Sequence, residues 1–191
     1  MQNEPVAVTM LVIDALNTLE VPYFIGGSLA SSVHGVIRTT MDVDLIADLG
    51  LEHIEPLVHM LEQMFYIDDG AIREAIRLRR SFNVIHLETM FKVDVFIRKR
   101  RPYDQAQLER QLLQTLTTDP ERVAYVASAE DTVLTKLEWY RMGGELSDRQ
   151  WNDVLNVIKV QGDQLDRGYL RLWAAQLGIA DLLERVLDQV N

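Results

Sequence analysis

The chain has 191 residues, of which 48% are hydrophobic and 25% are charged, and its net charge is −10. This apolar content is enough for the core of one or two small domains. No apolar stretch approaches the ~20 residues that a bilayer-spanning helix needs, and the N-terminal segment carries carboxylates and no basic head, so we expect no membrane span and no signal peptide. The absence of cysteine excludes disulfides and thiolate metal sites. Together these features predict a cytoplasmic globular protein.

Positive charge is concentrated in one part of this acidic chain. Residues 71–101 hold nine lysines or arginines against three carboxylates, a net charge of +6, so the remainder carries −16. The nine cations are Arg73, Arg77, Arg79, Arg80, Lys92, Arg98, Lys99, Arg100 and Arg101. The acidic total argues against a protein that coats nucleic acid with a broad basic face. The segment Arg73–Arg101, the basic strip, is either a solvated charge cluster or a binding surface for a polyanion.

Helical and strand patterns alternate along the first hundred residues. The predicted elements are a helix over 5–19, a buried strand over 21–25 that enters a Gly-Gly turn, a helix over 29–36, a strand over 41–46, a helix over 51–64, a strand over 65–67, a turn at Asp69-Gly70, a helix over 71–80, and strands over 82–87 and 91–98. This half is therefore predicted to contain a β-sheet with helices beside it.

The last ninety residues have a different, helical character. Apolar residues recur at helical spacing over 104–116, 129–142, 148–160, 169–176 and 180–190, with glycines at several of the expected helix ends. The fold class predicted is α+β: a mixed β-sheet with flanking helices, followed by a C-terminal helical lobe. We expect a catalytic domain over 1–101 and the helical lobe over 102–191.

Asp42, Asp44 and Asp94 are candidate metal ligands. Asp42 and Asp44 alternate with apolar residues, so they share one face of a strand, and a neighbouring strand can bring Asp94 within a few Å of them. Carboxylates that close repel one another unless a cation lies between them. An all-oxygen ligand set favours Mg²⁺ or Mn²⁺ over zinc. The alternative is that Asp42 and Asp44 belong to an ordinary solvent-exposed face.

Gly26, Gly27 and Ser28 form a second candidate element, a strand followed by a glycine turn and a helix. Glycine lets the backbone approach a phosphate, a helix N-terminus presents free N–H groups, and the Ser28 hydroxyl adds a donor. A phosphate-binding turn together with a carboxylate cluster indicates phosphoryl or nucleotidyl transfer.

At these residues the chain resembles the nucleotidyltransferase superfamily with the polymerase-beta-like fold. That family has a Gly-Gly or Gly-Ser turn, then Asp-x-Asp or Asp-x-Glu, then a third carboxylate on a later strand; here the pattern reads GGSLASSVHGVIRTTMDVDLI and FKVDVFI. Residues 35–44, with an Arg and a Thr before the first Asp, look most like the branch of minimal nucleotidyltransferases and abortive-infection-type toxins. The helical segment 130–154 is similar to the same branch, and the resemblance covers roughly 21–160.

The resemblance implies transfer of a nucleoside monophosphate from a Mg²⁺-bound nucleoside triphosphate such as ATP. It implies that Asp42, Asp44 and Asp94 are catalytic and hold two Mg²⁺ ions. The residues it assigns to the nucleotide are Gly26, Gly27, Ser28, Arg38, Thr40 and Lys136. Asp153 is expected to have an orienting or structural role.

The sequence leaves the acceptor open among an RNA end, a protein hydroxyl and a small molecule. The basic strip favours an RNA or protein acceptor, whereas the acidic half would suit a cationic small molecule. The alternative function is a non-catalytic nucleotide-binding protein or toxin–antitoxin component on the same fold, with an antitoxin or a second copy of the chain as partner. A third hypothesis is a purely structural protein.

Overall fold

The computed structural model describes residues 4–35 and 42–190. The helices are α1 (Glu4–Thr18), α2 (Gly27–Val33), α3 (Ile54–Leu61), α4 (Asp69–Leu78), α5 (Pro102–Glu109), α6 (Ala129–Met142), α7 (Asp148–Gln161), α8 (Arg167–Leu177) and α9 (Ala180–Val190), and the strands are β1 (Tyr23–Ile25), β2 (Asp42–Ala47), β3 (Phe65–Tyr66), β4 (Ser81–His86), β5 (Lys92–Ile97), β6 (Leu112–Thr118) and β7 (Glu121–Val126). Within these described ranges, no helix has the length and apolar content that crossing a bilayer requires.

The described residues pack into two compact units. The sheet unit contains residues 4–26 and 42–126, and the helical unit contains residues 27–35 and 127–190. The predicted division into a catalytic domain over 1–101 and a helical lobe over 102–191 assigns roles as well as boundaries, and it stays a prediction.

The sheet unit is built on seven strands in the order β3-β4-β5-β2-β1-β7-β6. β2 is parallel to β5 and β1 is parallel to β7, whereas the other neighbours are antiparallel. Alternate residues of β2 and β5 are fully buried, among them Val43, Leu45, Val93 and Val95. Helix α1 packs near β2, and α4 packs near β4 and β5. These contacts confirm the predicted fold class, a mixed sheet with flanking helices followed by C-terminal helices.

The helical unit is centred on α6, which packs against α2, α7 and α8. Helices α6, α7 and α8 begin at side-chain caps that satisfy backbone N–H groups left free at a helix start. Ser128 accepts from Asp131 N, Ser147 from Gln150 N, and Asp166 from Tyr169 N. Helices α6 and α9 have the bounds that the sequence predicts, and α6, α7 and α8 are each followed by a glycine, as expected.

Helix α2 is fixed to the helical unit at its C-terminal end. The Nε2–H of His34 donates to the carbonyl of Ala127 over 2.7 Å, and the side chain of Gln161 donates to the carbonyl of His34 over 3.0 Å. Gly35 has a φ of +127°, and a Cβ there would lie 2.5 Å from Cγ1 of Val160. Only glycine fits this conformation and this close approach.

The predicted turn at Asp69-Gly70 is wrong, because α4 begins at Asp69. Asp68 is the N-cap, and its Oδ1 accepts from the N–H of Ala71 over 2.6 Å. Asp and Gly are common both in turns and at helix starts, so the composition of this segment did not distinguish the two.

The predicted helix over 104–116 is also wrong in its second half. Helix α5 ends at Glu109, and residues 112–118 form β6, which pairs with β7 in an antiparallel hairpin. The β6 sequence LLQTLTT contains Leu at helical spacing, but its threonines favour a strand once a neighbouring strand is present. Strand β7 was not predicted, and it carries the hairpin into the sheet beside β1.

We expect the Gly35→Ala substitution to destabilise the chain by about 2–3 kcal/mol, because it forces an L side chain into a disfavoured conformation and against Val160. Urea unfolding followed by circular dichroism measures this free energy. The matched control is Gly168→Ala in α8, where the nearest atom to the new Cβ is Oδ1 of Asp166 at 3.3 Å; it should change stability by no more than about 1 kcal/mol. Equal losses in both variants would contradict the role of Gly35.

Candidate active site

Asp42, Asp44 and Asp94 lie on one face of two adjacent strands. In the parallel pair β2–β5, Asp42 is in register with Lys92, and Asp44 is in register with Asp94. Residues in register on neighbouring strands share a face of the sheet, and the strands are about 4.8 Å apart. The three carboxylates therefore occupy neighbouring positions on the face opposite the buried valines, and each of these residues is half-buried.

Lys92 holds a positive charge within this group of carboxylates. Its Nζ lies 2.7 Å from Oδ2 of Asp94, and the two side chains are 40% and 19% exposed. The hydrogen bond to Asp94 raises the pKa of the Lys92 ammonium above its ordinary value. The negative charges of Asp42 and Asp44 act in the same direction. The charges of all three carboxylates therefore converge on one ammonium group.

Asn83 is a further polar residue beside the carboxylates. In the antiparallel pair β4–β5 it is in register with Asp94, so the same row across three strands contains Asn83, Asp94 and Asp44. Asn83 is exposed, and its neighbours Phe82 and Val84 are buried on the opposite face. The sequence analysis missed this residue, although the alternation of β4 was a signal. Lys92 was considered only as one cation of the basic strip.

The carboxylate group suits a hard divalent cation by its donors and its placement. The three residues offer only oxygen ligands, as Mg²⁺ and Mn²⁺ prefer. Their negative charges already stabilise one cation, the Lys92 ammonium. Across residues 4–35 and 42–190, however, no three Asp, Glu, His or Cys side chains are oriented together as a formed metal site. A metal at Asp94 would therefore require these side chains to reorient and Lys92 to move.

The residues predicted to bind phosphate begin at the end of β1. The N–H of Gly26 donates to the carbonyl of Asp44 over 2.8 Å, so it holds β1 to β2 and is not available to a phosphate. Gly27 has a φ of +58° and is the first residue of α2, and Ser28 follows it, half-buried. Phosphate binding by Gly26, Gly27 and Ser28 stays a prediction. Arg38 and Thr40 lie outside the described residues.

Lys136 forms a buried ion pair within the helical unit. Its Nζ, on α6, lies 2.9 Å from Oδ2 of Asp153 on α7, and the side chains are 10% and 7% exposed. This ion pair joins two helices, which agrees with the orienting or structural role expected for Asp153. The role of Lys136 in binding a triphosphate stays a prediction, and in this conformation its ammonium is held by Asp153.

A second buried carboxylate, Asp131, joins α6 to α8. It is fully buried and accepts hydrogen bonds from the hydroxyls of Ser128 at 2.7 Å and Tyr169 at 2.8 Å. Beside it, Oε1 of Glu130 accepts from the N–H of Asp166 over 2.8 Å. These contacts give buried charges the hydrogen-bond partners that burial requires. The acidic start of α6 therefore fixes this helix to the start of α8.

Five cations of the basic strip are paired with carboxylates. Ion pairs join Arg73 to Asp69, Arg79 and Arg98 to Asp48, Lys92 to Asp94, and Arg101 to Asp104. Arg77, Arg80, Lys99 and Arg100 are exposed. The carbonyl of Arg80 accepts from Ile97 N at the end of β5, and Lys99 follows that strand end by two residues. Five of the nine cations therefore already have a carboxylate partner.

Comparison with known proteins identifies the fold. No protein-family model and no curated protein matches the sequence. Among solved structures, the antibiotic-resistance factor ANT(2'')-Ia matches with a TM-score of 0.61 at 12% identity, over 97% of this chain and 99% of its own. The lincosamide antibiotic adenylyltransferase LnuA, lincomycin-bound, matches with a TM-score of 0.51 at 16% identity, over 80% and 95%. A nucleotidyltransferase-like protein from Paracoccidioides brasiliensis matches with a TM-score of 0.53 at 16% identity, over 94% and 91%.

The chain therefore has the nucleotidyltransferase fold, as the resemblance of its motifs implied. The matches span nearly the whole chain, so both the strands that carry the aspartates and the C-terminal helices belong to the shared architecture. Structural similarity at such low sequence identity establishes the fold only, so the activity has to be argued from the residues of the site. The assignment to the minimal or toxin-like branch stays a prediction.

The Lys136→Met substitution should lower the free energy of unfolding by about 3 kcal/mol, because it leaves the Asp153 carboxylate buried without its cation. Removing both charges, in Lys136→Met with Asp153→Leu, should restore most of this loss. On the role that the resemblance implies for Lys136, a contact with the triphosphate, we expect the stable double variant still to bind MgATP about tenfold or more weakly than the wild type, measured by isothermal titration calorimetry. Wild-type affinity in the double variant would show that Lys136 acts only through folding.

Proposed function

We propose that the chain transfers a nucleoside monophosphate from a Mg²⁺-bound nucleoside triphosphate to a hydroxyl group of an acceptor. The observation that carries this proposal is the row of in-register carboxylates on β2 and β5, with Asp44 beside Asp94 and Asp42 two residues away on the same face. The nucleotidyltransferase fold supports it, because known members of this fold transfer nucleotides. Mg²⁺, the nucleotide and the acceptor are all parts of the proposal.

The proposed reaction breaks one phosphoanhydride bond and forms one phosphate ester. The acceptor hydroxyl loses its proton, its oxygen bonds to the α-phosphorus, and pyrophosphate leaves. Bound divalent cations would lower the pKa of the attacking hydroxyl and offset the charge of the triphosphate. Asp42, Asp44 and Asp94 would hold those cations from three neighbouring positions on the sheet.

The remaining roles follow from the resemblance. Gly27 and Ser28 would bind the β- and γ-phosphates, and Lys136 would bind the triphosphate after release from Asp153. Arg38 and Thr40, just before the first aspartate in sequence, would bind the nucleotide or orient the carboxylates. Asn83 is a candidate for contact with the acceptor, because it is exposed in the same row as Asp94 and offers both a donor and an acceptor.

Among the three acceptor classes, we infer that a small hydroxylated molecule fits best. Five of the nine cations of the basic strip are already paired with carboxylates, so the structure gives less support to an RNA acceptor than the sequence did. Two proteins that share this fold are described by their action on or resistance to antibiotics, which are small molecules. The net charge of −10 would favour a cationic acceptor electrostatically.

Labelling experiments distinguish the acceptors. Each α-labelled nucleoside triphosphate is incubated with the protein, Mg²⁺ and one of three acceptor pools: hydroxylated antibiotics of the aminoglycoside and lincosamide classes, total RNA, or cell protein. We expect label on a small molecule, and label on RNA or protein would redirect the acceptor assignment. Nucleotide binding without transfer to any pool would favour the alternative, a non-catalytic nucleotide-binding or toxin–antitoxin component.

The Asp44→Asn substitution should lower the rate of label transfer by about 10²–10³-fold, because it removes a metal ligand that contributes several kcal/mol of charge stabilisation. The control is Glu88→Gln, which neutralises an exposed carboxylate in the loop between β4 and β5 of the same unit. It should leave the rate within about twofold. Melting temperatures of both variants check that the fold is intact; equal rates in both would contradict the role of Asp44.

A further inference from the structure

Lys92 occupies a particular place among the carboxylates. It is the first residue of β5, in register with Asp42 on the neighbouring strand and two residues before Asp94 on the same face. Its ammonium forms an ion pair with Asp94 at 2.7 Å. Among the described positions on this face of β2, β4 and β5, Lys92 is the only basic residue. It therefore lies where two carboxylate-bearing positions can share one cation.

The physical need for a cation at this point is strong. Three carboxylates at neighbouring sheet positions repel one another, and the repulsion grows as burial lowers the local dielectric constant. The Asp94 side chain is only 19% exposed, so water screens it incompletely. Any positive group that the chain itself provides here stabilises the sheet before a metal arrives.

We propose that Lys92 is an internal counter-ion that competes with the divalent cation for Asp94. Without metal, its ammonium neutralises part of the carboxylate charge; when metal binds, Lys92 gives up Asp94 and turns outward. Two opposite effects follow for one residue: Lys92 stabilises the metal-free protein and weakens its affinity for metal. An ion pair with a structural role alone would produce only the first effect. The inference rests on the proposed metal-dependent function.

The test measures Mn²⁺ binding and thermal stability of the full chain for three variants. Lys92→Met removes the charge and keeps the length of the side chain, and Lys92→Arg keeps the charge. Lys99→Met is the matched control, because it makes the same substitution at an exposed lysine five residues beyond Asp94. Isothermal titration calorimetry gives the dissociation constant, and a melting curve with and without Mn²⁺ gives the stability.

We expect Lys92→Met to bind Mn²⁺ about fivefold to tenfold more tightly than the wild type, the change that corresponds to losing one partly exposed competing ion pair. Its metal-free melting temperature should fall, and Mn²⁺ should raise it by more than in the wild type, since binding stabilises by mass action. Lys99→Met and Lys92→Arg should bind Mn²⁺ within about twofold of the wild type.

Equal or weaker Mn²⁺ affinity in Lys92→Met than in the wild type would overturn the proposal. Failure of Lys92→Met to fold with Mn²⁺ present would also overturn it, because a bound metal should replace the missing ammonium; folding only with Mn²⁺ would support it. Wild-type protein that binds no Mn²⁺ and transfers no label would refute the proposed function itself. If the wild-type protein binds Mn²⁺ and transfers label, and Lys92→Met has the same Mn²⁺ affinity as the wild type, only the role of Lys92 is refuted.

Discussion

The register between β2 and β5 is the constraint on which the candidate site depends. Val43 and Leu45 of β2 and Val93 and Val95 of β5 are buried on one face, so the alternating aspartates must lie on the other. A slip of one residue would bury charged groups and expose the valines, at a cost far above that of a single surface contact. The hydrophobic core thus sets which carboxylates become neighbours, and the chemistry of the site follows from packing on the opposite side of the sheet.

In the helical unit, each of the buried charged side chains described above has a specific partner. Asp131 accepts from two hydroxyls, and Lys136 pairs with Asp153. Groups of this kind contribute little net stability, since their desolvation offsets their attraction, but each is costly to leave without its partner. They restrict the helices to arrangements in which the partners meet. Any ligand that draws Lys136 away must compensate for the Asp153 carboxylate left behind.

The sequence predictions that succeeded depended on a regular spacing of apolar residues along a single helix or strand. The bounds of α6 and α9 and the strand character of β2 and β5 follow from periodicity that persists over each element. The hairpin at 112–126 was missed because the Leu spacing in β6 imitates a helix. Its place in the sheet depends on pairing between β7 and β1, which is about a hundred residues away in sequence and leaves no mark on the local pattern. The shared face of the aspartates was predictable from alternation, whereas the contact between Lys92 and Asp94 depends on side-chain conformation, which sequence does not reveal.

The attachment of α2 has a consequence for how the chain can be divided. The polypeptide leaves the sheet unit after residue 26, contributes α2 to the helical unit, returns to the sheet by residue 42, and leaves it again after residue 126. A fragment that stops at 126 would keep α2 but lose Ala127 and Gln161, which hold its far end. Neither unit is one uninterrupted piece of polypeptide. Recombination that exchanged one unit between relatives would thus need several coordinated junctions, so the two units are expected to be inherited together.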